Sequence, residues 1–459
     1  MTYSVAVLVA IAMLASATPA VAQNESMPDT LAKPAPAVTT DSGPAKATAP
    51  LNVQRLEIQR LRPVDQRGIN VYETPKFDGV PYTGFKLAFG AAFTQQFQNL
   101  GHSNTAVPVL KNGVNANQLI TIDHGFNNAV ANLYLNAQLA RGIRVAMTSY
   151  LSARHHQETW VKDGYVQIDD SPIENKTLES IMQYVTIRVG HMEINYGDEH
   201  FRRTDNGNAM YNPFVGNLLM DAFTTEIGGE FYLRQGPWML MGGLTGGETR
   251  GQVTVPEKRS VAYLGKAGFD KQFTPALRFR LTGSAFSQAK SANQSLYTGD
   301  RGGSRYYQVM VNTSGTEKDS AWTGNVQPGF KSEQHAYVIN PFLKVKGVEL
   351  RGNLEWTRGR AATEAENRPW DQYAGEALYR FLGEKLYVGS RYNIVGGRLP
   401  GMENDVSINR FQASAGWFVT PTILFKSEWM KQQYHDFPVT DIRNGGQIKG
   451  LMFEGVVAF

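Results

Sequence analysis

The feature that most constrains this chain is a two-residue rhythm that returns along most of its length. Phe85, Leu87, Phe89, Ala91 and Phe93 alternate with Lys86, Ala88, Gly90, Ala92 and Thr94. Ala131, Leu133, Leu135, Ala137 and Leu139 alternate with Asn132, Tyr134, Asn136 and Gln138, and Val348, Leu350, Gly352, Leu354 and Trp356 with Glu349, Arg351, Asn353, Glu355 and Thr357. Alternation of this kind makes a strand with one apolar and one polar face. It predicts strands at 85–97, 128–140, 142–154, 159–169, 183–196, 223–235, 237–249, 259–273, 276–290, 333–346, 348–359, 371–382, 385–397, 404–419, 422–435 and 447–459, sixteen in all. The connections alternate too. Arg141-Gly142, Gln235-Gly236-Pro237, Thr274-Pro275, Lys346-Gly347, Gly383-Glu384 and Thr420-Pro421 are tight turns, whereas 98–127, 197–222, 291–332 and 436–446 are long and polar. The expected fold is therefore all-β, a transmembrane antiparallel up-and-down β-barrel of about 16 strands with short periplasmic turns and long extracellular loops. Only the 170–182 connection is long for a short-turn end.

The polar face decides which side meets lipid. It carries Asn132, Asn136, Gln138, Arg144, Thr148, Arg280, Arg351, Asn353 and Arg391, and aromatics flank the short turns at Trp238, Phe273, Phe381 and Trp417. Such a band matches an interfacial girdle. A soluble sandwich would bury the apolar face instead, but sixteen such long strands would be unusual for one. A mean hydropathy of −0.33, with residues 1–22 as the sole long apolar run, excludes a bundle of membrane helices. With 45 Lys and Arg against 41 Asp and Glu, a +4 charge spread over the chain gives no footprint for nucleic acid. The absence of cysteine excludes a disulfide scaffold, a thiolate zinc site and a cysteine nucleophile.

Residues 4–17 form a short apolar core, and Ala20-Val21-Ala22 fits a cleavage site before Gln23, so 1–22 reads as a signal peptide. Met1-Thr2-Tyr3 lacks Lys and Arg, which leaves the translation start open. Residues 24–50 are rich in Pro, Ala, Thr and Ser. The expected organisation is a Pro/Ala-rich periplasmic tether and N-terminal segment over 23–84, then an outer-membrane β-barrel over 85–459. Within the segment, 51–62 fits a helix and a strand equally and suits a tether or a partial plug.

The last strand, QIKGLMFEGVVAF, places Leu451, Phe453, Val457 and the terminal Phe459 on one face. It resembles the assembly signal of bacterial outer-membrane barrels, which implies outer-membrane lipid and the barrel-assembly machinery as partners. The whole of 85–459 resembles bacterial outer-membrane porins. Residues 162–201 look most like the phosphate-selective porin O and P type, through Arg188, Val189, Gly190, His191, Met192, Glu193, Ile194, Asn195, Tyr196, Gly197, Asp198 and Glu199. The resemblance implies a homotrimer and a loop after this strand that folds into the pore; no cofactor is expected. That family's anion path uses inward arginines and a lysine cluster; no such cluster can be placed in this sequence.

A sixteen-strand barrel leaves an aqueous lumen, so the expected function is passive diffusion of small hydrophilic solutes, with selectivity set by charge at the narrowest point. The 197–222 loop is the candidate constriction, with Asp198, Glu199, His200, Arg202, Arg203 and Asp205 within eight residues. Arg202 and Arg203 facing acids across the lumen would set up a transverse field; alternatively these charges pair and pin the loop to the wall. Face parity points Arg144, Arg188, Arg278, Arg280, Arg351, Arg391, Arg410 and Lys426 inward, along with Glu226, Glu230, Glu349, Glu355, Glu428 and Glu454. Eight cations against six anions predict at most a weak preference for small anions. No metal site is expected: the eight histidines lack ligand spacing, although Asp198-Glu199-His200 could hold a loop cation. Two other functions stay open. One is a barrel enzyme, which needs a Ser or Asp beside a rim histidine such as His124 or His335. The other is a structural or adhesive barrel with a blocked lumen, with 291–332 as a contact or lid.

Overall fold

The computed structural model describes residues 57–459 except 128, 153–158, 205–207, 250–252, 254, 293–295, 298–305 and 317–321. The signal peptide and the Pro/Ala-rich tether lie outside the described residues. The sixteen strands are β1 (Lys86–Ser103), β2 (Val130–Ala140), β3 (Ile143–Ser152), β4 (Thr159–Ile168), β5 (Val185–Glu193), β6 (Thr225–Gln235), β7 (Trp238–Thr245), β8 (Ala262–Thr274), β9 (Leu277–Gln288), β10 (Glu333–Val345), β11 (Val348–Arg360), β12 (Arg368–Phe381), β13 (Leu386–Gly397), β14 (Val406–Thr420), β15 (Ile423–His435) and β16 (Gln447–Ala458). Each pairs antiparallel with its sequence neighbours, and β1 closes the barrel against β16 from Ala92↔Ala458 to Ser103↔Gln447. Beyond that ladder, Phe459 donates its amide to the Ala91 carbonyl and accepts from the Ala91 amide, both at 2.9 Å, while its ring stays exposed.

All sixteen expected strands are present, with shifted ends. β1 runs to Ser103 rather than 97, and β5 covers Val185–Glu193 rather than 183–196. The long 170–182 connection holds a helix, α1 (Lys176–Met182), N-capped by Asn175, whose side chain accepts from the Leu178 amide at 3.0 Å. Tight turns need left-handed backbone, which Gly142 (φ 66°) and Gly236 (φ 58°) supply between β2 and β3 and between β6 and β7.

The outward face is apolar. Phe89, Leu133, Leu240, Tyr337 and Phe425 all point away from the lumen and are exposed. Charge there would cost about 2–4 kcal/mol per Arg or Lys at the bilayer midplane. At the short-turn rim, Trp238 meets Phe269 edge-on at 4.9 Å and Tyr379 stacks on Phe381 at 5.7 Å. The molecule is thus a closed sixteen-strand antiparallel barrel of the outer-membrane type, with its girdle where the sequence puts it.

The interior differs from the open, water-filled tube that sequence alone predicts. Three irregular segments enter it: 57–84 and the described residues of the 194–224 and 289–332 loops. Towards the long-loop end, inward Phe286, Trp370, Ile408 and Met430 pack on Leu219 and Met220 of one loop and Tyr306 of the other. Nearer the short turns, Met210 and Tyr211 reach Leu378, Phe418 and Leu424. The cause is the loop's own composition. Phe214, Val215, Leu218, Leu219 and Met220 would each forgo about 1.5–3 kcal/mol if left in water, and all five are buried.

Candidate functional site

A loop that leaves the wall gives up the ladder that satisfies its backbone, so its carbonyls and amides need other partners. Inward charges of β13–β16 provide them for the 194–224 loop. Lys426 donates to the carbonyls of Ala209 (3.0 Å), Asn212 (2.9 Å) and Phe214 (2.9 Å) and pairs with Glu454. Arg410 donates to Asn217 O at 2.7 Å and to Gly324 O at 2.5 Å, holding both loops. Arg391 donates to Gly216 O and lies 4.3 Å over the Phe214 ring. Glu428 accepts from the Val215 amide at 2.8 Å, the Gly216 amide at 3.2 Å and the Tyr306 hydroxyl at 2.7 Å. Three of the eight expected pore-lining cations therefore serve as loop anchors.

Three more clamp the N-terminal segment. Arg351 bonds the Tyr72 hydroxyl and Asn70 Oδ1. Arg278 donates to Asn70 O at 3.0 Å and is held by Asp270 at 2.8 and 2.6 Å. Arg280 carries the Tyr72 ring 4.1 Å from its guanidinium carbon and reaches Glu73 at 2.8 Å. Lys266 of β8 sits 3.0 Å from Glu73 and 2.9 Å from Asp198. Burial pushes the Glu73 and Asp198 carboxyls up, but Arg280 and Lys266 pull harder, and both end below their ordinary values.

The candidate constriction residues divide among several partners. Asp198 takes a bidentate contact from Arg280 at 2.8 Å on each oxygen. His200 lies 2.5 Å from Glu193 and 3.0 Å from Asn195, and Glu199 pairs locally with Arg202 at 3.3 Å. Arg202 forks onto Glu376 of β12 at 3.0 and 2.6 Å, and the Arg203 fork lies on Asp221 of its own loop at 2.9 and 2.5 Å. Asp205 is outside the described residues. Arg202 and Arg203 contact their acids directly rather than across an open gap, because buried charges persist only when paired. Asp198 and His200 turn to different partners, which removes the loop-cation reading.

The last two cations, Arg144 and Arg188, line a cavity of about 200 Å³ between β2–β6 and the N-terminal segment. Arg188 lies 4.2 Å and Arg144 5.8 Å from the Tyr165 ring. Arg144 bonds Gln167 at 2.8 Å and Arg188 pairs with Glu230 at 3.3 Å, while the Nε of each has no hydrogen-bond partner among the described residues. Asp163 also borders the cavity, with one carboxylate oxygen unbonded.

Sequence parity missed Lys266 and Glu376, although both fall on the inward face of expected strands. Tyr72 and Glu73 carried no periodic signal. At the outer rim, Ser287 Oγ lies 2.9 Å from His335 Nδ1, and His335 Nε2 lies 3.1 Å from Glu333. This is a serine–histidine–carboxylate chain, but Glu333 also serves Arg360 at 3.1 Å and Asn367 at 3.0 Å. Ser287 sits in the regular ladder between β8 and β10, whose amides are committed to strand pairing and are not free to hold an oxyanion. His124 is exposed and pairs with its neighbour Asp123.

Neither protein-family models nor curated proteins give a match to this sequence. Solved structures do match in fold. An anion-selective porin from Comamonas acidovorans superposes with a TM-score of 0.50 at 10% identity, over 82% of this chain and 100% of that one. The outer membrane channel DcaP of Acinetobacter baumannii gives 0.49 at 8% identity, over 83% and 99%. OprB of Pseudomonas putida gives 0.48 at 10% identity, over 85% and 99%. At 10% identity the likeness to the Comamonas porin speaks to the barrel architecture alone.

Proposed function

We propose that this protein is a bacterial outer-membrane porin, a non-enzymatic channel for passive diffusion of small hydrophilic solutes with a weak preference for anions. The observation that carries the reading is a lumen lined by paired charges inside a wall whose outer face suits lipid. A purely structural barrel has no need of two arginines lining an internal cavity beside one tyrosine ring. Arg144 and Arg188 on the Tyr165 ring are the groups a passing anion would meet. The phosphate-selective porin O and P resemblance of 162–201 agrees with that preference, and Asp163 at the same cavity limits its strength. Assembly as a homotrimer, and delivery through the barrel-assembly machinery by the Phe459 signal, belong to the same proposal. The test is the reversal potential of the refolded protein in a KCl gradient. A small anion-selective value that moves towards zero in Arg144→Ala/Arg188→Ala is expected, and clear cation selectivity of the unaltered chain would refute the preference.

A further inference from the structure

Tyr72 and Glu73 are held in the lumen the way a bound ligand would be. The Tyr72 ring is 3% exposed. It lies beside Arg280, with Phe201 edge-on at 5.9 Å and Phe342 at 6.1 Å, and its hydroxyl bonds Arg351. The Glu73 carboxylate rests on Lys266 at 3.0 Å, Arg280 at 2.8 Å and the Asn195 amide at 2.9 Å. All of these partners come from the wall or the 194–224 loop. The receiving surface is therefore a cleft shaped for one aromatic ring and one carboxylate, with Arg280 touching both.

The charge count gives the cleft a second property. Lys266, Arg280 and Arg278 face Asp198, Glu73 and Asp270, three cations against three anions, so the group is neutral while the segment is docked. Withdrawing Glu73 leaves one buried cation uncompensated, which is costly. Glu73 leaves readily only if another anion takes its place. The rest of the segment has anchors of its own: Gln59 bonds Gln138 at 2.8 Å and the Gly142 amide at 2.9 Å, the Gln66 amide donates to Pro421 O at 2.9 Å, and Lys76 donates to Val185 O at 2.5 Å and pairs with Asp169.

We propose that this cleft is a binding site for small aromatic carboxylates, occupied at rest by Tyr72 and Glu73, and that such a solute widens the path through the barrel by displacing that pair of side chains. The proposal rests on the channel reading and names its solute class. It differs from a general anion preference because the ring contacts are as much part of the site as the cations.

The test uses the full chain, refolded into lipid vesicles. The sequence has no cysteine, so Thr74→Cys gives a unique label site beside the cleft. Its reaction with a membrane-impermeant maleimide is measured with 4-hydroxybenzoate, acetate or phenol added. The expected result is labelling about tenfold faster with 4-hydroxybenzoate than with acetate or phenol at equal concentration. Adding Glu73→Gln should raise the basal rate by about ten- to a hundredfold, from loss of one charge-assisted contact. Equal rates with all three probes, or no rise with Glu73→Gln in protein that electrophoresis shows folded, would overturn the proposal. Conductance in planar bilayers is read in parallel. Probe-dependent labelling without current would uphold the cleft and refute the channel; current without probe-dependent labelling would do the reverse.

Discussion

Lys426→Met takes away the ammonium on which three carbonyls of the 194–224 loop converge. Lys426 and Glu454 have fully buried side chains, and removing one partner of such a pair costs about 3–5 kcal/mol. The orphaned carbonyls of Ala209, Asn212 and Phe214 add about 1–3 kcal/mol each if they stay dry. The protein does not bear that sum, because the loop can swing out and hydrate them. The observed effect is then capped at the free energy of docking the loop. A cap of about 3 kcal/mol corresponds to roughly two powers of ten in the open population. Chymotrypsin reports it through cleavage at Tyr211 and Phe214, both buried in the docked loop. Where re-closing outpaces cleavage, the rate follows the open population. We expect about a hundredfold faster nicking, and recovery of part of it in Lys426→Met/Glu454→Gln, which removes the stranded carboxylate. Nicking within about threefold of the unaltered protein would refute the claim that this lysine anchors the loop.

Docking of the N-terminal segment should depend on pH at both ends. The Glu73 carboxyl is held below its ordinary 4.5 in the docked state, so its contribution is full above that pH and is lost as pH falls through the docked value; Thr74→Cys labelling should rise in acid. Burial lowers the Lys76 ammonium to about 8 despite Asp169, so the docked state binds fewer protons than the released one from there to 10.5, and labelling corrected for reagent chemistry should fall across that range. Gly416→Val should lower the temperature at which the folded electrophoretic band converts, because a Cβ there would lie 2.1 Å from the Tyr387 ring; the expected cost is about 1–3 kcal/mol, and an unchanged band would contradict it. Phe459→Ala should refold in detergent with nearly unchanged urea resistance, since its ring is exposed, yet reach the outer membrane of cells at reduced level; normal cellular levels would remove the assembly role.

The barrel was legible because a membrane wall has a two-residue grammar. Phe85 to Thr94 shows it residue by residue, and the same parity put Arg280 and Arg351 inside. The contents of the lumen obey no such period. Leu218, Leu219 and Met220 are apolar in a row, which in sequence reads only as an interruption of a polar loop. Glu73 stands among Pro75, Asp78 and Gly79, where nothing marks a side chain that will meet Lys266. Arg202 and Arg203 were readable as a charged pair, but their different fates, Glu376 for one and Asp221 for the other, depend on the path of the loop. Helix α1 escaped because seven residues are too few to set a helical period against the strands around them.

The central claim is that solute crosses the membrane through the inside of this barrel. Swelling of proteoliposomes in isosmotic solutions of a small neutral solute tests it most directly. Vesicles carrying the folded protein should swell faster than empty ones, and faster again with Glu73→Gln. Swelling no faster than that of empty vesicles for both proteins, while electrophoresis shows them folded, would contradict the account.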